Sequence, residues 1–420
     1  MIHAVISFFQ SIFDLLLPTV ALLVSIYLAK SSWQFWKQSG YKTRINWIML
    51  EIKIPRENLK GPKAMDQFLM SIFNLRNRQN GPKEVYMDGE IPRWFSLEIV
   101  GYNRTTRLFL RIPRLLVHPV TAALYASYPD VEVVEVDRDY IYDGPPDYHV
   151  MKKNGMEIYA LELQQKKDPA YVLNTFLDFE TKVGDEKGRI IDSMSGIIEI
   201  IGKMKPEETC WIQFLCQPDT TGEWLEGAKK IVDEKFKSAT QENEQAGGKG
   251  GQIRFRFRTQ GEEKTLKRIE EKKGKAVYNV MTRMVYFAPK KIYNHDLPNR
   301  GMFGWMAQFN NDDQRVRKSD KVRTKVEWEG FPFIFPRRRL YWKGYSLYEH
   351  YRERFIPEDT FVGNIYRSYL LSLCFFHKPM ILSSEELATF FHIPTNVVLT
   401  ATTMERIESK RMPAPSNLPS

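Results

Sequence analysis

The hydrophobic pattern changes period several times along this chain, and each change predicts an element. Residues 1–29, MIHAVISFFQSIFDLLLPTVALLVSIYLA, are almost uninterrupted apolar sequence, with Asp14 the one formal charge. Such a run is long enough to cross a hydrocarbon core of about 30 Å, and Pro18 is compatible with a kink in the span. From Trp47 the period drops to two. WIMLEIKIP places Ile48, Leu50, Ile52 and Ile54 on one side of a strand and Trp47, Met49, Glu51 and Lys53 on the other. Residues 62–76 return to helical spacing, with Pro62 at the start and Met65, Phe68, Leu69, Ile72 and Leu75 as the apolar stripe. FSLEIVGY and TRLFLRIP read as strands around a short Asn103-Arg104 turn, 115–128 as a second helix and VEVVEVD as a fourth strand. The order β-α-β-β-α-β is that of a ferredoxin-like unit, a four-stranded antiparallel sheet with both helices on one face.

A longer second round follows. MEIYALELQ, TCWIQFLC and AVYNVMTRMVYFAP read as strands, with helices over 185–204 (stripe Met194, Ile197, Ile198, Ile201), 220–236 and 254–271. Residues 237–251 are low in complexity and read as a surface loop. Residues 294–355 look irregular, and 359–376 read as a buried helix. Ser383-Ser384-Glu385-Glu386 forms a capping box that opens a short helix bearing Leu387, Phe390 and Phe391, and Pro394 ends it. The expected fold is therefore α+β: a transmembrane anchor (1–30), a basic and aromatic juxtamembrane segment (31–46) and two ferredoxin-like units. The first covers 47–148. The second covers 149–355 and carries insertions, the main one at about 237–252. A C-terminal helical segment (356–394) and a linker-like tail (395–420) complete the chain.

Composition narrows the class. Of 420 residues, 43% are hydrophobic and 13% aromatic, enough to bury sizeable cores and to exclude a disordered chain. The net charge of +10 favours acidic partners such as anionic lipid, nucleic acid or an acidic protein face. Positive charge and aromatic rings follow the apolar run, with Lys30, Trp33, Trp36 and Lys37 as the membrane-interface residues. This asymmetry puts the rest of the chain in the cytoplasm. A cleaved signal peptide would carry its positive charge before the apolar core and a small-residue cleavage site after it, and neither is evident. Cys210 and Cys216 lie about 20 Å apart on one strand, too far for a disulfide, so they and Cys374 read as reduced thiols.

A P-loop needs G-x-x-x-x-G-K-[ST], and no Gly-Lys pair here (Gly202-Lys203, Gly248-Lys249, Gly274-Lys275) is followed by Ser or Thr. The seven histidines lack metal-ligand spacing, and His377 and His392 read as core or interface residues. The acidic stretch 130–147, with Glu132, Glu135, Asp137, Asp139 and Asp143, would suit a divalent cation, but a solvated strand end explains it as well. No catalytic residue, cofactor or metal is expected. The sharpest candidate is the cluster Arg337, Arg338, Arg339, Tyr341, Trp342 and Tyr345. Charge interleaved with aromatic faces suits single-stranded nucleic acid or a protein or lipid partner, and packing against its own domain accounts for it too.

Two stretches carry a resemblance. IPREN…GPKAMDQFLMSIF…WFSLEIVGY…LFLRIP…YASYPDVEVVEVD (54–137) and ILSSEELATFFHIPTNVVLTATTMERIESKRMPAPSNLP (381–419) are the two. Together they resemble the membrane-proximal region, of unknown function, that precedes the motor in conjugative, type IV secretion-like ATPases of small-genome uncultured bacteria. The resemblance implies a single-pass protein of the bacterial inner membrane with its bulk in the cytoplasm. It implies a non-catalytic platform that docks a cytoplasmic ATPase or substrate at the inner membrane face, its partner a separate P-loop ATPase or other secretion-machine protein, with Leu387, Phe390 and Phe391 as docking residues. The relatives' hydrolysis does not carry over, because Ser420 stands where their ATPase would begin. Homo-oligomerisation is natural for such machines. The alternative is a nucleic-acid-binding adaptor at the membrane, contacting DNA through 337–352.

Overall fold

The period-two runs pair into a single ten-stranded sheet. A computed structural model describes residues 2–55, 58–77, 81–182, 192–245, 259–326, 335–357, 360–367, 378–395 and 406–407. The first strands are β1 (Trp47–Pro55), β2 (Phe95–Tyr102), β3 (Thr105–Pro113) and β4 (Glu132–Glu135). They are followed by β5 (Met156–Gln165), β6 (Thr209–Pro218), β7 (Val277–Pro289), β8 (Val316–Arg323), β9 (Met380–Ser383) and β10 (Arg406–Ile407). The main path runs β10-β1-β3-β2-β6-β7-β5-β8, with β4 also beside β1 and β9 beside β7. Every pair is antiparallel except the short β10–β1 contact.

The strand order has an internal symmetry. The first four strands lie in the order β4-β1-β3-β2, and the next four in the order β8-β5-β7-β6. The two sets meet edge to edge where β2 pairs with β6, from Phe95↔Cys216 to Tyr102↔Thr209. The sheet is therefore continuous across residue 148. The β2–β3 connection is a tight turn with Asn103 and Arg104 both at positive φ, 48° and 63°, the conformation that matches strand twist.

The helices segregate by face. After the N-terminal α1 (Ile2–Arg44) come α2 (Pro62–Ile72), α3 (Val117–Ser127), α4 (Tyr148–Lys153), α5 (Phe176–Lys182) and α6 (Ser195–Gly202). Then follow α7 (Glu223–Gln245), α8 (Gln260–Lys273), α9 (Phe303–Ala307), α10 (Pro336–Arg352), α11 (Phe361–Arg367) and α12 (Ser384–Phe390). On one face Leu50, Leu97, Leu110, Ile212 and Phe214 belong to the same core as Phe68 of α2, Leu124 of α3, Ile197 of α6 and Trp305 of α9. On the other, Met49, Phe109, Trp211 and Phe287 are covered by Tyr148 and Met151 of α4 and by Leu347, Tyr348 and Tyr351 of α10. Each fully buried large apolar side chain contributes about 1.5–3 kcal/mol, so a sheet lined on both faces holds most of the stability.

Several expectations change in detail. The helix α7 runs to Gln245 through part of the expected loop, because SATQENEQ contains no Gly or Pro to stop it. Of the helix expected over 185–204, α6 keeps Ser195–Gly202, and 183–191 lie outside the described residues. The helix α8 starts at Gln260, where Thr259 and Glu262 form a reciprocal capping box, and 246–258 lie outside the described residues. The stretch expected to be irregular holds α9, β8 and the long α10. Gly344 breaks the helical pattern of α10 for a packing reason, since a Cβ there would meet Tyr148 Oη at 2.4 Å. The segment 356–394 is not all helical, because β9 joins the sheet beside β7. Within the expected buried helix, Phe361 and Ile365 of α11 are about half exposed (49% and 51%), and 368–376 lie outside the described residues.

The helix α1 leads directly into the sheet, with only Ile45 and Asn46 between it and β1. Its last turns also dock sideways: Trp33 Nε1–H donates to Tyr86 O at 2.8 Å, and Ser31 Oγ accepts from Val362 N at 3.0 Å. Gly89 closes the contact at φ +68°, where a Cβ would lie 2.3 Å from the Lys37 carbonyl carbon. Gly89→Ala therefore combines left-handed strain with a backbone clash and is expected to cost at least about 2 kcal/mol. Chemical unfolding of the variant, with limited proteolysis between 40 and 95, checks this. Unchanged stability and unchanged cleavage would remove the docking role.

Candidate functional site

The face of the sheet that α10 covers carries a row of polar residues no amphipathic strand would be expected to bury. Glu98 on β2 stands opposite Gln213 on β6, Gln213 opposite Arg283 on β7, and Arg283 opposite Glu162 on β5. All four are 0% exposed. Arg283 Nε donates to Glu162 Oε1 at 2.8 Å, and Gln213 Nε2 donates to Glu98 Oε1 at 3.2 Å and to Tyr351 O at 3.2 Å. The row thus crosses the β2–β6 seam and ties both halves to the end of α10.

Arg354, just past α10, is the hub. It sits at φ +51°, a strained conformation for a non-glycine residue. Its guanidinium bonds Glu98 at 2.7 and 2.9 Å and Asp139 at 2.8 and 3.1 Å. Tyr140 Oη donates to Glu98 Oε2 at 2.7 Å and lies 2.8 Å from Tyr351 Oη, while Ser96 Oγ donates to Glu98 Oε1 at 2.6 Å. Burial works against the Glu98 charge, but Arg354 and then the hydroxyl donors outweigh it and hold the carboxyl below the usual carboxylate range. Burial also opposes the Arg354 charge, and Glu98 and Asp139 more than compensate.

Beside this network lies a cleft of about 270 Å³ at the junction of α1 with the sheet. Lys42 and Thr43 of α1, Trp47 and Arg111 of the sheet, Trp94 and Arg354 line it. The Arg111 guanidinium stacks on the Trp47 ring at 4.1 Å. Burial, and then the neighbouring Arg354 cation, pull its pKa down to about 9, against the partial support of Glu98 and Asp139.

The residues singled out from sequence fall in different places. Lys37 Nζ lies over the rings of Trp33 and Trp36 at 5.0 and 5.2 Å, Lys30 Nζ lies over Tyr86 at 5.1 Å, and both tryptophans are exposed. The arginine–aromatic cluster is divided. Arg337 and Arg338 are exposed at the start of α10, whereas Arg339 is buried. Tyr341 packs on Tyr148 at 5.0 Å and is bonded to His149, and Trp342 packs on Tyr345 at 5.5 Å. The expectation that Leu387, Phe390 and Phe391 dock a partner is overturned by their burial. They are 0%, 1% and 0% exposed, with Phe390 against Phe214 and Phe309, because both sides of this short helix face the core. In the acidic stretch Asp139 is drawn to Arg354, and among the described residues no group of His, Cys, Asp and Glu could hold a metal ion. Cys210 and Cys216 are buried free thiols, and Cys374 and His377 lie outside the described residues.

His392 follows α12 and is fully buried. Its ring nitrogens face Ala388 O and Asp192 Oδ1, each at 3.0 Å. Asp192 also accepts from Met194 N and Thr395 N. Burial raises its pKa, but His392 and these donors bring it down to about 2.

Sequence reasoning missed the polar row, Arg354 and Arg111. The available signal was one charged or amide residue in the middle of each apolar strand: Glu98, Glu162, Gln213 and Arg283. No protein-family model matches the chain, and comparison with curated proteins finds no similar sequence.

Removing one partner of a buried ion pair leaves an uncompensated charge. Glu98→Gln and Arg354→Met are each expected to cost about 3–5 kcal/mol in urea unfolding, and the double replacement less than their sum. Additive effects would dissolve the network. For Asp192, whose folded pKa is depressed, the contribution is full above the ordinary aspartate value of about 4 and is lost as the pH falls through about 2. The stability gap between wild type and Asp192→Asn should therefore narrow over that window, and a constant gap would refute the pairing.

Proposed function

We propose that the chain is a non-catalytic, membrane-anchored platform at the inner face of a bacterial cell membrane. Each half of its sheet is read as a ferredoxin-like unit, and the platform docks a separate P-loop ATPase or another component of a conjugation or type IV secretion-like machine. The observation that carries this reading is the continuity of α1 with the sheet. An apolar helix, Leu16–Arg44 in its candidate span, is long and apolar enough to cross a membrane. It passes through a collar of Lys30, Trp33, Trp36 and Lys37 and enters β1 two residues after it ends. A domain held in that way keeps one orientation toward the bilayer, which suits a platform better than a tethered enzyme.

The helix α11 supports the same reading. Phe361 lies 6.0 Å from Tyr27 between ring centroids, and Phe361 and Ile365, one turn apart, are both about half exposed beside the apolar part of α1. In a bilayer they form a second contact at the interface. The nucleic-acid reading has less support, because Tyr341, Trp342 and Tyr345 pack against neighbouring rings and leave mainly Arg337 and Arg338 exposed.

Carbonate extraction followed by intact-mass measurement tests the anchor. The expected result is a membrane-retained chain of full mass, and a chain shortened by the apolar run would mark a signal sequence instead. Tagged full-length protein recovered from crosslinked membranes should bring down a P-loop ATPase, read by mass spectrometry. Recovery of nucleic acid with neither a motor nor another component of such a machine would overturn the platform reading.

A further inference from the structure

The exposed apolar surface of α1 does not stop where the domain begins. Leu22, Leu23, Ile26 and Tyr27 are exposed, and so, one to two turns further on, are Trp33 and Trp36. Two separate elements of the domain pack against α1 at that level, and each carries exposed apolar side chains of its own. The first is α11. Val362 N donates to Ser31 Oγ at 3.0 Å, Phe361 lies 6.0 Å from Tyr27 between ring centroids, and Phe361 and Ile365 are about half exposed. The second is the turn Glu84–Asp88, closed by Gly89, whose N–H donates to Glu84 O. Tyr86 faces the helix: its carbonyl accepts from Trp33 Nε1 at 2.8 Å, and Lys30 Nζ lies over its ring at 5.1 Å. Met87 beside it is 56% exposed and belongs to none of the apolar clusters of the described residues. Successive helical residues are about 100° apart, so Tyr27 and Ser31 face roughly a quarter turn away from Lys30, Trp33 and Lys37. The two elements therefore flank α1 on different sides.

We propose that α1, α11 and the turn Glu84–Asp88 form one lipid-facing surface, with Met87, Phe361 and Ile365 inserted in the bilayer interface. The proposal rests on the membrane anchor of the reading above and adds to it the turn, the depth of the span and the tilt of the domain. Continuity identifies the occupant. Whatever medium covers the exposed Leu23, Ile26 and Tyr27 of the span also reaches Phe361, which packs on the Tyr27 ring. The side chains at this level have interfacial chemistry. Lys30 and Lys37 lie over Tyr86, Trp33 and Trp36, so rings and aliphatic stems share one layer with ammonium heads that reach toward water. On the turn itself Glu84 and Asp88 offset Lys83, so the contact is apolar insertion and does not select anionic lipid. Depth follows. From Tyr27 to Trp33 is about 9 Å, six residues at 1.5 Å each. That is close to the roughly 5–8 Å which the headgroup layer adds on each side of the hydrocarbon core. The core thus ends near Lys30, and the last turns of the candidate span, which runs to Arg44, lie outside it. A single helix leaves the domain free to tilt, whereas contacts on two sides of that helix hold the sheet at one angle to the bilayer.

The test is site-directed spin labelling of the full chain in phosphatidylcholine nanodiscs, on a Cys374→Ser background, since Cys210 and Cys216 are buried. Nitroxides are attached through Met87→Cys, Phe361→Cys and Ile365→Cys. Tyr27→Cys serves as the lipid reference, and Tyr102→Cys, exposed at the far end of β2, as the water reference. Accessibility to dissolved oxygen, which concentrates in lipid, is compared with accessibility to a water-soluble nickel chelate. The expected oxygen-to-nickel ratio at Met87, Phe361 and Ile365 is several-fold above that at Tyr102 and approaches that at Tyr27. Met87→Cys decides the matter if a label on α11 disturbs the fold. A water-like ratio at Met87, or at both α11 positions, overturns the proposal, while a lipid-like Tyr27 in the same discs leaves the anchor standing. A water-like ratio at Tyr27 itself removes the anchor and the proposal with it. Labels shielded from both reagents mean that protein covers this face, which also overturns the proposal.

Discussion

The pairing of β2 with β6 is the constraint on which the rest of this structure depends. Without it the first four strands would end at an open edge on β2, and the next four at an open edge on β6. Unpaired edges invite association with other chains. The seam is reinforced on one face by Leu97, Ile99, Ile212 and Phe214, and on the other by Glu98 and Gln213. The polar pair does more than join two strands. Through Arg354, Asp139 and Tyr351 it specifies where α10 ends and how that helix lies across both halves, at the cost of burying several charges that must all be satisfied.

Close backbone approaches set the remaining geometry. Gly89 lets a short turn press against α1 at Lys37, and Gly344 lets α10 lie against Tyr148. A side chain at either position would push two elements apart by about the size of a methyl group, and a packed interior has no slack to absorb that. The same economy explains the buried pair Lys272–Glu386, 3.0 Å apart, where the capping residue of α12 also receives the ammonium of α8. Local signals and long-range contacts are thus served by one side chain.

Much of the fold was legible in the sequence. The alternation in WIMLEIKIP, FSLEIVGY and TRLFLRIP corresponds to β1, β2 and β3, and Ser383 and Glu386 form the capping box their spacing announced. The apolar stripe of 62–76 became α2 with Met65, Phe68, Leu69 and Ile72 buried. What failed did so for physical reasons. The helix α10 carries charges and rings on every side and has a central glycine, so its period is hidden. Leu387, Phe390 and Phe391 looked like a docking stripe because sequence cannot say that both sides of a short helix are enclosed.

Periodicity, turn chemistry and capping are local, and by themselves they determined the apolar span, the strands around Asn103-Arg104 and the α+β class. Which strand lies beside which was decided by tertiary structure alone, because register depends on surfaces that meet only after the chain has folded. That is why Glu98, Gln213, Arg283 and Glu162, spread over 186 positions of sequence counting both ends and each looking like a lone flaw in an apolar strand, become one row. Arg111 is the clearest instance. In TRLFLRIP it reads as one more charge on the outward side of a strand. Only the folded chain places it against Trp47, next to Arg354 and near enough to Glu98 and Asp139 for their charges to support its own.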